Sequence, residues 1–412
     1  MMAKGFNDNI ITAIDIGTTK ICVLVAKKIG EEVEVLGMGR SPSHGLKKGI
    51  VTDINKTVQS IKAAVKEAEL VSDYSIESAV VGISGSHITA FNSHGAVPIK
   101  RNNRVSSADI ASVLIAAKAM QIPEGNQVLH VLPQFFRIDS QDKIKDPLGM
   151  HGIRLEAQVH IITGSIASAQ NIIQCCLMSG VQVKDIVLEQ LASAEAVLSQ
   201  DERELGVTVL DIGGGTADFA LFQNGSIRHT LVVPVAGNHF TNDIAIGLQS
   251  TIKDAERVKQ LYGVATSKCI EGDSEIEIVM ADGVDHKKIK ISELTNIIEL
   301  RAEELLSIIR VEIEKHNLKH MISTGMVLTG GGSMLKGLDI LAQDILGMPV
   351  RIGVPQTNCI IPESLNSPIY ATSYGLLLHA FKQQKNDSIA SAKGPLMFKV
   401  FDRMKSWISD FF

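Results

Sequence analysis

Asp211-Ile-Gly-Gly-Gly-Thr-Ala-Asp218 places three consecutive glycines directly after the apolar run Val207-Thr208-Val209-Leu210. Glycine loses more conformational freedom on folding than any other residue, so three in a row where a strand ends mark a turn that needs bare backbone. Without Cβ atoms the backbone N–H groups can approach an anion closely, and Thr216 adds a hydroxyl donor, a combination suited to cradling phosphate. Asp211 leads the loop, where a carboxylate can hold Mg²⁺ directly or through its waters.

Two further glycine turns lie far to either side, Asp15-Ile-Gly-Thr-Thr-Lys20 and Thr329-Gly-Gly-Gly-Ser333. Each also follows an apolar β-type run, Ile10-Ile11-Thr12-Ala13-Ile14 and Met326-Val327-Leu328. The first turn alone reads equally well as an ordinary hairpin. All three in this order, with an aspartate leading the first two, read as one nucleotide held between two halves. Such a set is the signature of the actin, Hsp70 and sugar-kinase superfamily. It implies an α/β, actin-like two-lobed ATPase fold of duplicated ribonuclease-H-like domains. The order of elements agrees: strand 207–210, loop, strands 217–222 and 226–233, and a helix from about Asn238 repeat the plan of the first half. There, strands 21–26 and 34–39 follow the loop, an amphipathic helix spans 53–70, and 79–83 is a buried strand.

The 412 residues suffice for two to four domains, and 45% hydrophobic residues is ordinary for a globular chain, not a disordered scaffold. A net charge of −5 offers no broad basic field, which argues against nucleic acid as a partner. Cys22, Cys175, Cys176, Cys269 and Cys359 sit mostly in apolar runs without C-x-x-C spacing. They read as reduced cytosolic thiols, with neither zinc nor disulfides indicated. The N-terminus has no signal-peptide core, and no stretch reaches the roughly 18 apolar residues of a membrane span. His316 and His320 stand four apart, a spacing that could hold metal, but Lys315 and Lys319 beside them favour a solvated helix face.

Residues 84–159 interrupt the first half with a helix candidate at 106–118 and strand-like runs at 127–132, 135–138 and 154–161. In actin and Hsp70 the extra lobe of the first half leaves between the third strand and the first helix. Here Lys48-Gly49-Ile50-Val51-Thr52-Asp53 passes directly from strand to helix and leaves no room for it. With that departure the chain resembles the FtsA family of actin-like bacterial cell-division proteins, which carries its insertion on the other side of the first domain. The resemblance covers nearly the whole chain, through His44-Gly45-Leu46-Lys47-Lys48-Gly49, Val128-Leu129-His130-Val131-Leu132-Pro133-Gln134, Glu204-Leu205-Gly206, Arg228-His229-Thr230 and Val350-Arg351-Ile352-Gly353. It implies a first lobe at 1–84 and 161–205 with an inserted subdomain at 85–160. The second lobe takes 206–252 and 306–381, returning to the first, with an inserted lobe at 253–305. A flexible linker at 382–395 and an amphipathic membrane-targeting helix at 396–412 complete the plan.

By this resemblance Gly17, Thr18, Thr19 and Lys20 form the first phosphate loop, and Gly213, Gly214, Gly215 and Thr216 the second. Gly330, Gly331, Gly332 and Ser333 form the adenosine loop, with Lys336 opening the next helix, and Asp15 and Asp211 are the Mg²⁺-side carboxylates. Glu256 and Lys259 fall where the fold packs the sugar and base, though a solvated charged face accounts for them equally. Phosphoryl transfer demands positioning more than covalent chemistry, and Glu189, before the second half, is the candidate to orient water. A helix N-terminal acid facing the dipole is the other reading of Glu189. ATP and Mg²⁺ are the cofactors implied, with at most slow hydrolysis.

The resemblance further implies a homopolymer at the septum, peripheral on the cytoplasmic face of the inner membrane. That polymer would anchor filaments of FtsZ, the tubulin-like division protein, and help recruit later division proteins. The inserted lobe at 253–305 would receive the C-terminal peptide of FtsZ, with Lys290, Arg301 and Arg310 as candidates to meet an acidic peptide. Two rival readings share the loops. A sugar or carboxylic-acid kinase needs a catalytic base that no further motif supplies, and an Hsp70-like chaperone has no room for its peptide-binding domain after Phe381.

After Phe381 the sequence turns polar and small as far as Gly394, the composition of a flexible linker. Apolar residues then return at helical spacing: Met397, Phe398, Val400, Phe401, Met404, Trp407, Ile408, Phe411 and Phe412. Charges within the stretch preclude spanning, and residues 396–412 at about 1.5 Å per residue give a helix of roughly 25 Å that would lie in the headgroup plane. Lys393, Lys399, Arg403 and Lys405 against Asp402 and Asp410 leave local positive charge, which anionic lipid should attract. Docking of this helix on the protein's own core is the alternative.

Overall fold

Continuous apolar runs flank the first glycine turn, and they pair as a tight hairpin. Strands β1 (Ile10–Ile16) and β2 (Lys20–Ile29) run antiparallel with Asp15 opposite Cys22 and Ile16 opposite Ile21, leaving Gly17, Thr18 and Thr19 as the turn. The computed structural model describes residues 10–30, 32–100, 102–355 and 363–393. After β3 (Glu32–Pro42) a short hairpin, β4 (Leu46–Lys47) and β5 (Ile50–Val51), leads straight into α1 (Ile54–Ser72). Asp53 caps that helix by accepting from the Lys56 amide. Strand β6 (Ser78–Ile83) then joins β1 in parallel.

The insertion follows as β7 (Thr89–Pro98), α2 (Ser107–Lys118), β8 (Asn126–Ile138), β9 (Gln141–Ile144) and β10 (Arg154–Ser165). It forms its own antiparallel sheet in the order β7-β10-β8-β9. Gly95 permits α2 to lie directly on β7, since a Cβ there would stand 2.4 Å from the Val113 carbonyl oxygen. Strands expected separately at 127–132 and 135–138 are one strand. A bulge, with Val159 opposite Pro133 and Gln158 opposite Phe135, accommodates a proline that has no ladder donor.

The chain returns through α3 (Ile166–Met178), β11 (Gln182–Leu188), α4 (Glu189–Val197) and α5 (Gln200–Leu205). The second half comprises β12 (Val207–Ile212), β13 (Ala217–Gln223), β14 (Ser226–Val233), α6 (Gly237–Leu248), α7 (Ile252–Tyr262), β15 (Glu275–Val279), β16 (His286–Lys290) and α8 (Ile291–Lys315). It closes with β17 (Met326–Thr329), α9 (Leu338–Leu346), β18 (Val350–Ile352) and α10 (Ala371–Lys393). The two large sheets have the same design. Orders β3-β2-β1-β6-β11 and β14-β13-β12-β17-β18 each join two antiparallel pairs to two parallel ones. This is the duplicated α/β fold that the loops imply.

Helices α4 and α10 pack between the two sheets, and one apolar core runs through both lobes, from Ala13 and Leu24 through Ala192 and Leu377 to Val209 and Phe222. At their crossing Gly375 is indispensable, because a Cβ there would fall 1.7 Å from the Ala192 carbonyl oxygen. Two expectations about the periphery change. Residues 382–393 continue α10 as helix where a flexible linker was expected, and α8 runs unbroken past residue 305 to Lys315. Residues 394–412, with every apolar and basic side chain assigned to the membrane helix except Lys393, lie outside the described residues, as does Cys359. Among the described residues no helix is long and apolar enough to cross a membrane.

Candidate functional site

Each central strand delivers an aspartate at its C-terminal end, the side where α/β sheets bind ligands. Asp15, from β1, is buried and takes an ion pair from Lys20 Nζ at 2.8 Å. Burial opposes the Lys20 charge, but Asp15 and, more weakly, Asp211 override it and hold the ammonium above its ordinary pKa. Asp211, from β12, accepts from Ser193 of α4 and, at 2.8 Å, from Thr372 of α10. Burial raises its pKa against those bonds.

The two phosphate-type loops meet face to face. A Cβ on Gly214 would come within 2.2 Å of the Thr19 side chain, and one on Gly215 within 2.4 Å of Thr18 Oγ1. Only bare glycine permits this contact. Thr18 Oγ1 in turn accepts from the Gly49 amide at 3.1 Å, and the start of α6 rests on the second loop through Gly237 and Asn238 amides bonded to Gly213 and Gly214. The N–H groups of Thr18, Thr19, Gly214 and Gly215 donate to no group among the described residues. Thr216 is buried and donates to Asp218 at 3.0 Å.

The third loop closes on the second. Gly330 has φ +80°, and a Cβ on it would lie 2.2 Å from Asp211 Oδ1, while Gly332 packs on Ile212. Ser333 is buried and closes its own loop on the Gly330 carbonyl at 2.7 Å. Gly331 differs from both, being exposed with no atom nearer to its Cβ position than Ile369 Cγ1 at 3.8 Å.

Of the remaining candidates, Glu256 and Lys259 do join the site's edge. Lys259 Nζ lies 2.7 Å from Glu256 and reaches the Gly237 carbonyl at 3.1 Å, and Thr241 bonds both side chains. The Lys336 ammonium instead turns to Glu271 at 2.8 Å. Arg301 is engaged by Asp243 and Glu304, whereas Lys290 is exposed with Asp273 3.7 Å away, and Arg310 is exposed. Cys22, Cys175 and Cys176 are buried free thiols.

Glu189 opens α4 beneath the loops. Burial raises its pKa well above the usual carboxylate value, and Asp15, Asp218 and Asp211 add to the effect. Asp218 receives no role from sequence, although it closes the motif that contains Asp211. Here it accepts from Ser84 at 2.5 Å and from Thr216, and burial with Asp211 nearby pushes its pKa up to about 7. Ser84, Ser193, Thr372 and Ser373 are the other residues that sequence reasoning missed. Thr372-Ser373 stands just after the turn Pro368–Tyr370 and just before Gly375, a small-residue helix start that was the available signal.

Paired glycine loops over buried acids, between duplicated sheets, define a two-lobed actin-like ATPase fold. MreB5 of Spiroplasma citri bound to ADP has the same fold, with a TM-score of 0.58 and 16% identity over 92% of this chain and 98% of that one. The AMPPNP-bound form gives 0.57 and 15% over 93% and 99%. A PilM-PilN type IV pilus biogenesis complex gives 0.65 and 18% over 90% and 98%. The family model for cell division protein FtsA matches residues 208–375, and that for the SHS2 domain inserted in FtsA matches residues 85–163. Cell division protein FtsA of Pseudomonas aeruginosa is 41% identical over 99% of both chains, and that of Escherichia coli K12 is 35% identical over 99% of both. The chain belongs to the FtsA family of actin-like cell division proteins, and the kinase and chaperone readings fall away.

Asp218 makes stability pH-dependent. Between about pH 4 and 7 the folded protein holds a proton that the unfolded chain has released, so stability declines as pH rises through that window. Asp218→Asn removes its share of the decline, leaving that of Asp211 and Glu189, which burial also raises. Urea denaturation without nucleotide should show the variant more stable than the parent by roughly 1–4 kcal/mol at pH 8 and equal to it near pH 4. An equal gain at both pH values would contradict the buried-charge account.

Proposed function

We propose that this protein binds ATP with Mg²⁺ between its two glycine loops, and that the loaded form polymerises on the cytoplasmic face of the inner membrane at the septum. There it anchors FtsZ filaments and helps to recruit later division proteins. The contact of Thr18 and Thr19 with Gly215 and Gly214 carries the reading, because it brings amides with no other acceptor to one place above a group of acids. Asp15, Asp211, Asp218 and Glu189 share that region with Lys20 as the nearby cation, so a divalent ion would supply the missing positive charge. Asp15 and Asp211 are the carboxylates suited to hold it, directly or through water, and Glu189 is positioned to orient a water in slow hydrolysis. The nucleotides named for MreB5, ADP and AMPPNP, support the same ligand class here. Lys290 of the 253–305 lobe and Arg310, just beyond it on α8, meet the acidic FtsZ peptide, while Arg301 keeps its own partners, and the apolar and basic residues of 396–412 bind anionic lipid.

Gly331 offers a clean test of nucleotide binding. Gly331→Asp has space in the protein but would occupy the nucleotide's place, so fluorescent-ATP titration should show affinity reduced at least ~10-fold with the unfolding midpoint unchanged. Asp211→Ala should weaken Mg²⁺-dependent binding, and Glu189→Gln should bind ATP normally while losing hydrolysis. Parent-like affinity in Gly331→Asp and Asp211→Ala would remove the loop assignment.

For the membrane, Trp407→Glu and a truncation before Gly394 should bind ATP yet stay in the supernatant when sedimented with anionic vesicles. Continued co-sedimentation of both would rule out the helix as the anchor. For FtsZ, charge reversal at Lys290 with Arg310, both to Glu, should reduce affinity for the C-terminal peptide and flatten its salt dependence. Unaltered affinity and salt slope would move the peptide site elsewhere.

A further inference from the structure

The C-terminal part of α8 holds chemistry that the nucleotide cleft does not use. Glu312 lies in the last turn of that helix, His316 four residues on caps its C-terminal end, and His229 reaches them from β14. Glu312 Oε1 lies 2.8 Å from His229 Nε2 and 3.3 Å from His316 Nε2. One ligand atom of each residue lies within 4.8 Å of the other two, and among the described residues no other group of three or more His, Cys, Asp or Glu side chains converges in this way. The two imidazole centroids are 4.8 Å apart, and the edge contact of Phe219 with His229, at 6.3 Å, orients the inner ring.

We infer that His229, Glu312 and His316 form a binding site for a borderline divalent transition metal of the Zn²⁺ class, joining α8 to β14. Two imidazoles and one carboxylate leave the fourth tetrahedral position for water, a known zinc arrangement. Bonds of about 2.1 Å require tetrahedral ligand atoms roughly 3.4 Å apart. The separations of 2.8 and 3.3 Å from Glu312 are close to that, and no two of the three ligand atoms are more than 4.8 Å apart. His229 and Glu312 are each 16% exposed and His316 42%, so the site is shielded on its inner side and open to ions and water at His316. Mg²⁺ and Ca²⁺, which demand six or more oxygen ligands, do not suit two imidazoles. The i, i+4 pairing of His316 therefore runs back to Glu312. His320 lies apart in the turn Lys319–Met321. Because α8 begins at the β15–β16 hairpin, a metal here ties the far end of that lobe's long helix to the central sheet of the second half.

The test uses untagged full-length protein stripped with chelator, titrated with Zn²⁺ by calorimetry and with Co²⁺ by visible absorption. One equivalent should bind, Co²⁺ should give the band of a four- or five-coordinate nitrogen and oxygen site, and the unfolding midpoint should rise with Zn²⁺ concentration. His316→Ala, at an exposed helix end, should fold normally and bind at least ~10-fold more weakly, and Glu312→Gln should do the same while keeping a hydrogen-bonding side chain. Absence of binding by the parent overturns the site. So does undiminished binding by His316→Ala, which would put the metal on other residues such as Cys269.

Discussion

Two adjacent hydroxyls at the start of α10 hold the leading aspartates of both lobes. Thr372 Oγ1 donates to Asp211 Oδ2 at 2.8 Å, and Ser373 Oγ donates to Asp15 Oδ2 at 2.9 Å. Hydrogen bonds to charged groups each contribute about 1.5–3 kcal/mol, but their greater consequence is geometric. Since both donors belong to one helical turn, the two carboxylates cannot separate without losing a bond or turning the helix. Gly375, one residue beyond Tyr374, keeps that turn pressed onto α4, where Ser193 also bonds Asp211. The glycine loops can touch because the aspartates beneath them are held in this way.

Holding the acids together has an electrostatic cost. Asp211, Asp218 and Glu189 all have raised pKa values, burial being the first cause in each case, and Lys20 is the cation among them. A fold optimised for stability alone would replace such groups with apolar ones. Their retention at the mouth of two opposed glycine turns is the pattern expected of a site whose charge is completed by a ligand. Hydroxyls satisfy the three aspartates meanwhile, Ser84 and Thr216 donating to Asp218, Ser193 and Thr372 to Asp211, and Ser373 to Asp15.

The loops were legible in the sequence because three glycines in succession after an apolar run suit little besides a turn that cradles an anion, and the duplicated sheet followed from the repeat of strand, loop and strand. The hydroxyl partners were not legible. Ser84 and Asp218 lie 134 residues apart, and Ser373 and Asp15 lie 358 apart, so only the closed fold makes them neighbours. Residues 382–393 misled for a different reason: lacking an apolar stripe they resembled a linker, yet Lys382, Gln383, Gln384, Lys385, Ala390 and Ala392 are good helix formers, and no glycine or proline intervenes before Gly394. Pro133 suggested a break between strands because the bulge that accommodates it depends on a partner strand more than twenty residues later. Arg301 looked available because Asp243, which binds it, lies 58 residues earlier on α6.

The inserted subdomain emerges from the first lobe but is bonded to the second. His160 bonds Thr230 of β14 at 2.9 Å, Gln134 donates to the Ile227 carbonyl at 2.9 Å, and Asn92 donates to that of Arg228 at 3.3 Å. Burial keeps His160 neutral, with its pKa lowered to about 3, so the bond to Thr230 persists across the physiological range. At the insertion's root Ser84 bonds Asp218, and a Cβ on Gly49 would stand 2.7 Å from the Ser84 carbonyl oxygen. Gly49 in turn donates to Thr18, so the root touches both glycine loops. Bonds between the lobes therefore include those of α10 to the two aspartates, that of Ser193 on α4 to Asp211, and those of the insertion through Ser84 and β14. The insertion's contacts with the second lobe are largely side-chain bonds to β14, the edge strand of its sheet, with Ser84 its link to the buried acids, whereas α10 reaches both leading aspartates directly.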